Sequence, residues 1–287
     1  MGGPSSSTRA KSTIRILMGT VTLAIATTIL AHPQPVASVV DSGADHPTSV
    51  GVGTGAIAAA TVSPTSNDGA RAIAEADAYT LAASSKLASW TGWVDLYRGD
   101  AFTKQATLRW CVAASTQMMR NLVAGESDHA AASQAQFFAY GRANNGYATP
   151  AIDGIDPAGW LALLRRYVDP SYQIVAARSY RTALNAAATA LRLTGKPVGV
   201  FVHHAAHVWV MSGFTATADP ASGASFTVTS VNVEAPLWGW TTHHIHDPAP
   251  DSQLSAAAFS TFLTSYHDRF EPDGWPGRYV ILVPVAS

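Results

Sequence analysis

Three residues of this chain, Gln105, Cys111 and His207, have the types and spacing that nucleophilic catalysis requires. Cys111 is the only cysteine among 287 residues, and Gln105 lies six positions before it. A thiolate can attack a carbonyl carbon, a histidine can take up and return the proton, and a glutamine amide can donate to the oxyanion. The set therefore predicts acyl-transfer chemistry through a thioester. A buried and inert thiol in the core is the alternative interpretation of Cys111.

Local sequence patterns predict that two of these residues each begin a regular secondary-structure element. "CVAASTQMMRNLVAG" is typical of a helix from Cys111 to Val123, with Gly125 as a stop signal. Cys111 then opens the helix, where free backbone N–H groups and the helix dipole favour a thiolate. "HVWVMSGF" predicts a strand that begins at His207, and strand ends hold catalytic groups well.

The remaining patterns predict helices followed by strands. Three further helices are expected at 127–141, 157–168 and 179–195, and four strands at 197–202, 207–214, 225–234 and 278–285. This order is typical of an α+β fold, and loop connections between the strands favour an antiparallel sheet.

The first 85 residues differ in composition from the rest. Residues 1–38 are predicted to be an export signal, because Arg9, Lys11 and Arg15 precede an uncharged apolar stretch at 16–31. That stretch is shorter than the roughly 20 residues of a membrane span, which favours a cleaved signal over a retained anchor. The protein is therefore expected to be secreted or associated with the cell envelope, with membrane contact only through this segment.

A spacer and one folded domain are predicted after the signal. Residues 39–85 are rich in small and polar residues, which is typical of a disordered linker. Aromatic residues then arrive together, so we place the folded domain at 86–287. The net charge is −1 without a basic cluster, which argues against a nucleic-acid partner. No cofactor is expected, and the expected partner is a peptide or protein substrate.

The order of these motifs resembles a known family. A glutamine stands six residues before a helix-opening cysteine, and after a long gap "GKPVGVFV" and "HVWVMSGF" follow, the second opened by a histidine. This resembles the papain-like cysteine peptidases, and most closely the exported proteins with a domain like the double-glycine leader peptidases that process bacteriocins.

The resemblance implies a two-lobe papain-like fold, with an N-terminal helical lobe, an antiparallel sheet lobe and a cleft between them. It implies that Cys111 is the nucleophile, that His207 is the general base and acid, and that Gln105 donates to the oxyanion. His203 and His204, which lie close to His207 in sequence, are expected at the rim of the cleft.

The third catalytic residue departs from the family pattern. The resemblance predicts an aspartate before a proline at the end of the strand after His207, but Ala235 precedes Pro236 here. Glu234 or Asn232 is then the candidate to orient the imidazole. Alternation along a strand places both on the face opposite Ala235, so a bulge or an early strand end would be needed.

Other functions remain open at this point. The missing aspartate favours a catalytically degenerate binding protein of the cell envelope, and the same Cys/His chemistry would serve an amidase or a transglutaminase. "THHIHDP" (242–248) carries His244, His246 and Asp247, a set that could bind a metal, although a loop at the surface or cleft rim is the simpler interpretation.

Overall fold

The structure, a computed structural model, describes residues 87–147, 154–241, 246–267 and 275–286. All of them belong to one compact unit, Thr61–Ser287, that the chain's internal contacts define. The predicted export signal and spacer, residues 1–38 and 39–85, lie outside the described residues.

A seven-stranded sheet forms the centre of the described part. Its strands are β1 (Trp93–Asp95), β2 (Gln173–Ala177), β3 (Val198–Val202), β4 (His207–Ala216), β5 (Val228–Glu234), β6 (Ser252–Ser255) and β7 (Tyr279–Val283). The strand order is β2-β7-β3-β4-β5-β6, and β1 pairs with the far half of β4. Every pairing among these strands is antiparallel.

Helices cover both faces of this sheet. They are α1 (Cys111–Ala124), α2 (Ala131–Ala143), α3 (Pro157–Tyr167), α4 (Tyr180–Thr194) and α5 (Ala256–Phe259). Side chains alternate along the strands, so Val200 and Trp209 pack in a cluster with α4 and α5, whereas Phe201 and Val210 pack in a cluster with α1, α2 and α3. The helix that begins with the cysteine is therefore anchored on one face of the sheet. None of the helices in the described ranges combines the length and the hydropathy that a membrane span requires.

The structure confirms the α+β class, with helices followed by an antiparallel sheet. Strand β2 lies between α3 and α4 and was not predicted. The second helix begins at Ala131 rather than near Ser127, because Asp128 holds the connection: its carboxylate accepts from Ala130 N at 2.9 Å. Its carbonyl accepts from the Asn121 amide, also at 2.9 Å. Gly141, predicted to end this helix, lies inside it.

Candidate active site

The lone thiol stands at an uncompensated helix end. Cys111 is the first residue of the 14-residue helix α1, and Trp110 before it provides no side-chain cap. The first turn holds no acidic residue. The first backbone N–H groups of a helix have no intrahelical partner, so they can stabilise negative charge on Cys111 or on an atom bound beside it. The cysteine as a whole is partly exposed.

A strained turn precedes His207. His207 opens β4 and pairs with Val202 of β3. In the turn between these strands, which holds His203 and His204, residues 203–205 have φ of 52°, 57° and 73° without being glycine. Such conformations cost about 1–3 kcal/mol each and persist only where the surroundings impose them. The His203 N–H donates to Phe262 O at 2.9 Å, which is one such restraint.

The imidazole of His207 is bound by Asp247. The His207 Nε2 atom lies 2.9 Å from Asp247 Oδ2, and the side chains are 3% and 0% exposed. The Cys111 thiol lies close enough to His207 to raise the pKa of its imidazole. Because Nε2 is engaged by the carboxylate, Nδ1 is the ring nitrogen that remains for the sulfur. The ring therefore stands between the thiol and the carboxylate.

The surroundings of His207 stabilise its charged form. Burial alone would lower the pKa of His207, but the hydrogen bond with Asp247, the neighbouring Cys111 thiol and the negative charges of both groups raise the pKa to about 9. A protonated imidazole beside a sulfur is the partner that a thiolate needs. His203, by contrast, has its pKa lowered by burial and by the charge of His207, which favours a neutral ring there.

Three donors fix the Asp247 carboxylate. In addition to its contact with His207, Oδ2 accepts from Leu237 N at 2.7 Å, and Oδ1 accepts from the Trp209 indole at 2.9 Å. His207 and Trp209 are two residues apart on β4, so their side chains project from the same face of the sheet. One carboxylate can therefore bind both, and its orientation is set on both oxygens.

Asp247 is the residue that the sequence interpretation placed in a different role. It follows His207 by forty positions and lies in the connection between β5 and β6, beyond the strand on which an orienting residue was predicted. The signal was present in the chain, because Asp247 directly precedes Pro248. An aspartate–proline pair was expected at the end of β5, and it occurs instead in the loop between β5 and β6.

Glu234 and Asn232, the two candidates to orient the imidazole, make their hydrogen bonds with other residues. Glu234 is 1% exposed and accepts from Ser212 Oγ at 2.9 Å and from Asp251 N at 3.1 Å, and neither bond involves His207. The Asn232 amide donates to Asp251 Oδ1 at 2.8 Å. The structure thus gives the imidazole a partner other than the two predicted from the sequence, because the loop before β6 brings Asp247 to the ring.

Glu234 has a perturbed ionisation of its own. Burial raises the pKa of Glu234 to about 7, and the nearby charges of Asp251 and Asp95 add to the rise, against the lowering effect of the hydrogen bonds from Ser212 and Asp251. Glu234 lies on β5 and is registered with Val210 of β4, whereas Asp95 lies on β1 and Asp251 directly precedes β6. They form an electrostatic cluster separate from the Asp247 carboxylate.

Gln105 is buried in the approach to the nucleophile. Its side chain is 2% exposed, and one amide hydrogen goes from Nε2 to Thr107 O at 2.8 Å. Its Oε1 has no partner within the described part of the chain. The second Nε2 hydrogen is the donor that remains for an external acceptor. The backbone N–H of Gln105 donates to Pro236 O at 3.0 Å, which ties this approach to the segment after β5.

A second glutamine, which the sequence interpretation did not single out, holds the same approach from α2. Gln134 is 1% exposed, accepts from Ala106 N at 2.9 Å and donates to Lys104 O at 2.9 Å. It also donates to Gln117 Oε1 on α1 at 2.9 Å. This network fixes the backbone on both sides of Gln105 against the two helices.

The carboxylate of Asp247, which the metal-binding alternative requires, is already bound by other groups. Both oxygens of Asp247 are committed to His207, Trp209 and Leu237. His244 lies outside the described residues, and His246 is exposed. Over the described ranges, no cluster of three or more His, Cys, Asp or Glu side chains could hold a metal ion.

Comparisons of the chain with protein-family models, with curated proteins and with solved structures find no match. Any function assigned to the chain therefore depends on the geometry of its own residues.

Proposed function

We propose that this protein is a cysteine peptidase that hydrolyses peptide or amide bonds through a thioester on Cys111. The observation that carries the proposal is the His207 ring, which has Asp247 on Nε2 and interacts with Cys111. Covalent acyl transfer uses a nucleophile next to a base, and a carboxylate that orients the base.

In the proposed mechanism, the proton of the Cys111 thiol resides on His207 Nδ1, and the thiolate attacks the substrate carbonyl carbon. The Cys111 N–H and the free hydrogen of Gln105 Nε2 donate to the oxyanion. His207 then protonates the departing amine as the carbon–nitrogen bond breaks, which leaves a thioester. Water attacks the thioester, His207 takes one of its protons, and the carboxylic acid and the thiol are regenerated.

Asp247 serves His207 in both half-reactions. Its charge stabilises the imidazolium while the thiolate exists, and its fixed orientation keeps Nδ1 directed at the sulfur. The degenerate binding protein was favoured in part by a missing orienting residue. The contact between Asp247 and His207 supports the peptidase over that alternative.

The papain-like architecture and the exported location belong to the same proposal. The helices α1, α2 and α3 share one hydrophobic cluster, and the nucleophile at the start of α1 meets a histidine at the start of a sheet strand. This arrangement supports a helical lobe and a sheet lobe with the reaction between them. The apolar stretch at 16–31 supports export, and we propose that the mature protein acts outside the cytoplasm.

The test uses three proteins, the native chain, Cys111→Ala and His207→Ala, each incubated with a defined mixture of short peptides. Mass spectrometry should show cleavage only by the native protein, together with a covalent adduct on Cys111 that hydroxylamine removes. Cleavage that survives Cys111→Ala would contradict the proposal. If the adduct is passed to an added amine and never to water, the protein is an acyl transferase and the hydrolase assignment is wrong.

A further inference from the structure

A lysine ammonium sits on an aromatic platform beside the proposed active site. Lys104 Nζ lies 4.5 Å from the ring centroid of Trp238. The Trp238 side chain is 37% exposed, and its ring meets Phe102 edge-on at 6.0 Å between centroids. Lys104 itself is exposed. The ring face attracts the ammonium and restricts its position. The N–H donors of the ammonium that do not face the ring remain available to solvent.

A glycine makes room for this ammonium. Gly239 has φ of 78°, in the left-handed region that side chains disfavour. A Cβ atom at this position would lie 2.8 Å from Lys104 Nζ, so any other residue would push the ammonium away. The position of the Lys104 charge therefore depends on both the conformation and the missing side chain of Gly239.

The platform is formed by two segments of the chain, one at Lys104 and one at Trp238. Each segment adjoins one of the proposed catalytic groups. Lys104 directly precedes Gln105, whose backbone N–H donates to Pro236 O at 3.0 Å. Trp238 directly follows Leu237, whose N–H donates to Asp247 at 2.7 Å. Consecutive Cα atoms are only about 3.8 Å apart, so the platform borders the proposed oxyanion donor and the orienting carboxylate together.

The Lys104 charge has no counter-ion among the described residues. Over these ranges, neither Lys104 nor Arg109 forms an ion pair with a carboxylate, although four other lysine and arginine side chains do, Arg98, Arg120, Arg192 and Lys196. Arg109 is exposed two positions before Cys111. The loop that leads to the nucleophile thus presents two cations, one of them held in place, without an anion from the described part of the chain.

We propose that the active site selects substrates that carry a carboxylate close to the carbonyl attacked by Cys111, and that Lys104 binds this carboxylate. This rests on the proposed function. An ammonium that is positioned but unpaired gains a charge-assisted hydrogen bond when such a group arrives. Arg109 adds positive potential along the same loop. The carboxylate belongs to an acidic side chain or to the end of a peptide, and both present the same group.

The first experiment needs no known substrate. Chloroacetyl-glycine and chloroacetyl-glycinamide share one electrophile, and with either reagent a carbon–sulfur bond to Cys111 forms as chloride leaves. The ratio of their alkylation rates, divided by the same ratio for free glutathione, measures the preference for a carboxylate. A hydrogen bond to a charged group predicts a ratio of about ten for the native protein.

Three variants test where the preference arises. Lys104→Gln should bring the ratio close to one. Gly239→Ala keeps every charge but displaces the ammonium, so it should lower the ratio as well. Arg181→Gln is the matched control, because it removes one exposed positive charge that belongs to α4 rather than to the loop before Cys111, and it should keep the native ratio. A native ratio near one, or an equal fall in Arg181→Gln, would overturn the proposal.

The second experiment separates the two sources of the carboxylate. Peptides that differ only as glutamate against glutamine, or as a free against an amidated C-terminus, compete for hydrolysis by the native protein. Preference for the acidic member of either pair supports the proposal and identifies the source, and preference for neither overturns it. Failure here is distinct from failure of the proposed function, because a peptidase without this preference would still cleave the neutral peptides through Cys111.

Discussion

Asp247→Asn removes the negative charge beside His207 and preserves the size of the side chain. The carboxylate uses both oxygens, Oδ2 for His207 and Leu237 N and Oδ1 for the Trp209 indole. An amide has only one oxygen, so in either orientation its NH2 group faces at least one of these donors. A buried donor left unsatisfied costs about 1–3 kcal/mol, and we expect the free energy of unfolding to fall by that amount.

The effect on the thiol follows from the same contact. A hydrogen bond to a charged partner contributes about 1.5–3 kcal/mol, and each ~1.4 kcal/mol is a factor of ten. Loss of the Asp247 charge therefore lowers the equilibrium constant for forming the thiolate–imidazolium pair by about tenfold to a hundredfold.

The assay is the second-order rate of Cys111 alkylation by iodoacetamide at about pH 5.5, where an ordinary thiol is almost fully protonated. The rate for Asp247→Asn should be lower than the native rate, by up to about a hundredfold. Glu234→Gln is the matched control, because it removes a different buried carboxylate and should leave the rate unchanged. A folded Asp247→Asn protein that reacts at the native rate would refute the role assigned to Asp247.

Three further predictions concern other groups. Burial raises the pKa of Glu234 to about 7, so its ionisation opposes folding as pH rises from about 4.5 to about 7. The free energy of unfolding in urea should fall over that range, and Glu234→Gln should reduce the fall by up to about 3 kcal/mol, whereas parallel curves would contradict this. Gln105→Ala should lower peptide turnover about 100-fold to 1,000-fold and leave the alkylation of Cys111 unchanged, and an equal loss in both rates would indicate a structural role. Trp209→Phe removes the donor to Asp247 Oδ1 and should destabilise the protein by about 1–3 kcal/mol in thermal or urea unfolding, so unchanged stability would contradict the importance of that hydrogen bond.

The sequence predicted the elements that carry Cys111 and His207. Helical periodicity after Cys111 and the apolar run after His207 are local signals, and the structure places the two residues at the starts of α1 and β4. Local signals suffice there because capping, periodicity and strand alternation are decided within a few residues. The same signals predicted the α+β class.

The partner of His207 could not be found by that route. The resemblance to the peptidase family directed attention to Glu234 and Asn232 at the end of the strand after His207, and both are close to β4 through the β4–β5 pairing. Asp247 reaches the ring through a loop, and no periodic pattern determines where a loop returns. Strand β2 was missed for a different reason, since two of its five residues are alanines, which strands disfavour, whereas β7 of the same length consists of Tyr, Val, Ile and Leu.

The most direct test of the account is the titration of the His207 ring by NMR in protein with isotope-labelled histidine, with the signal assigned by its loss in His207→Gln. The account predicts a midpoint at about pH 9 in the native protein and lower midpoints in both Cys111→Ala and Asp247→Asn, because each variant removes one of the negative groups that raise the pKa of His207. A native midpoint near the ordinary histidine value of about 6.5, unchanged in both variants, would contradict the proposed Cys111–His207–Asp247 site.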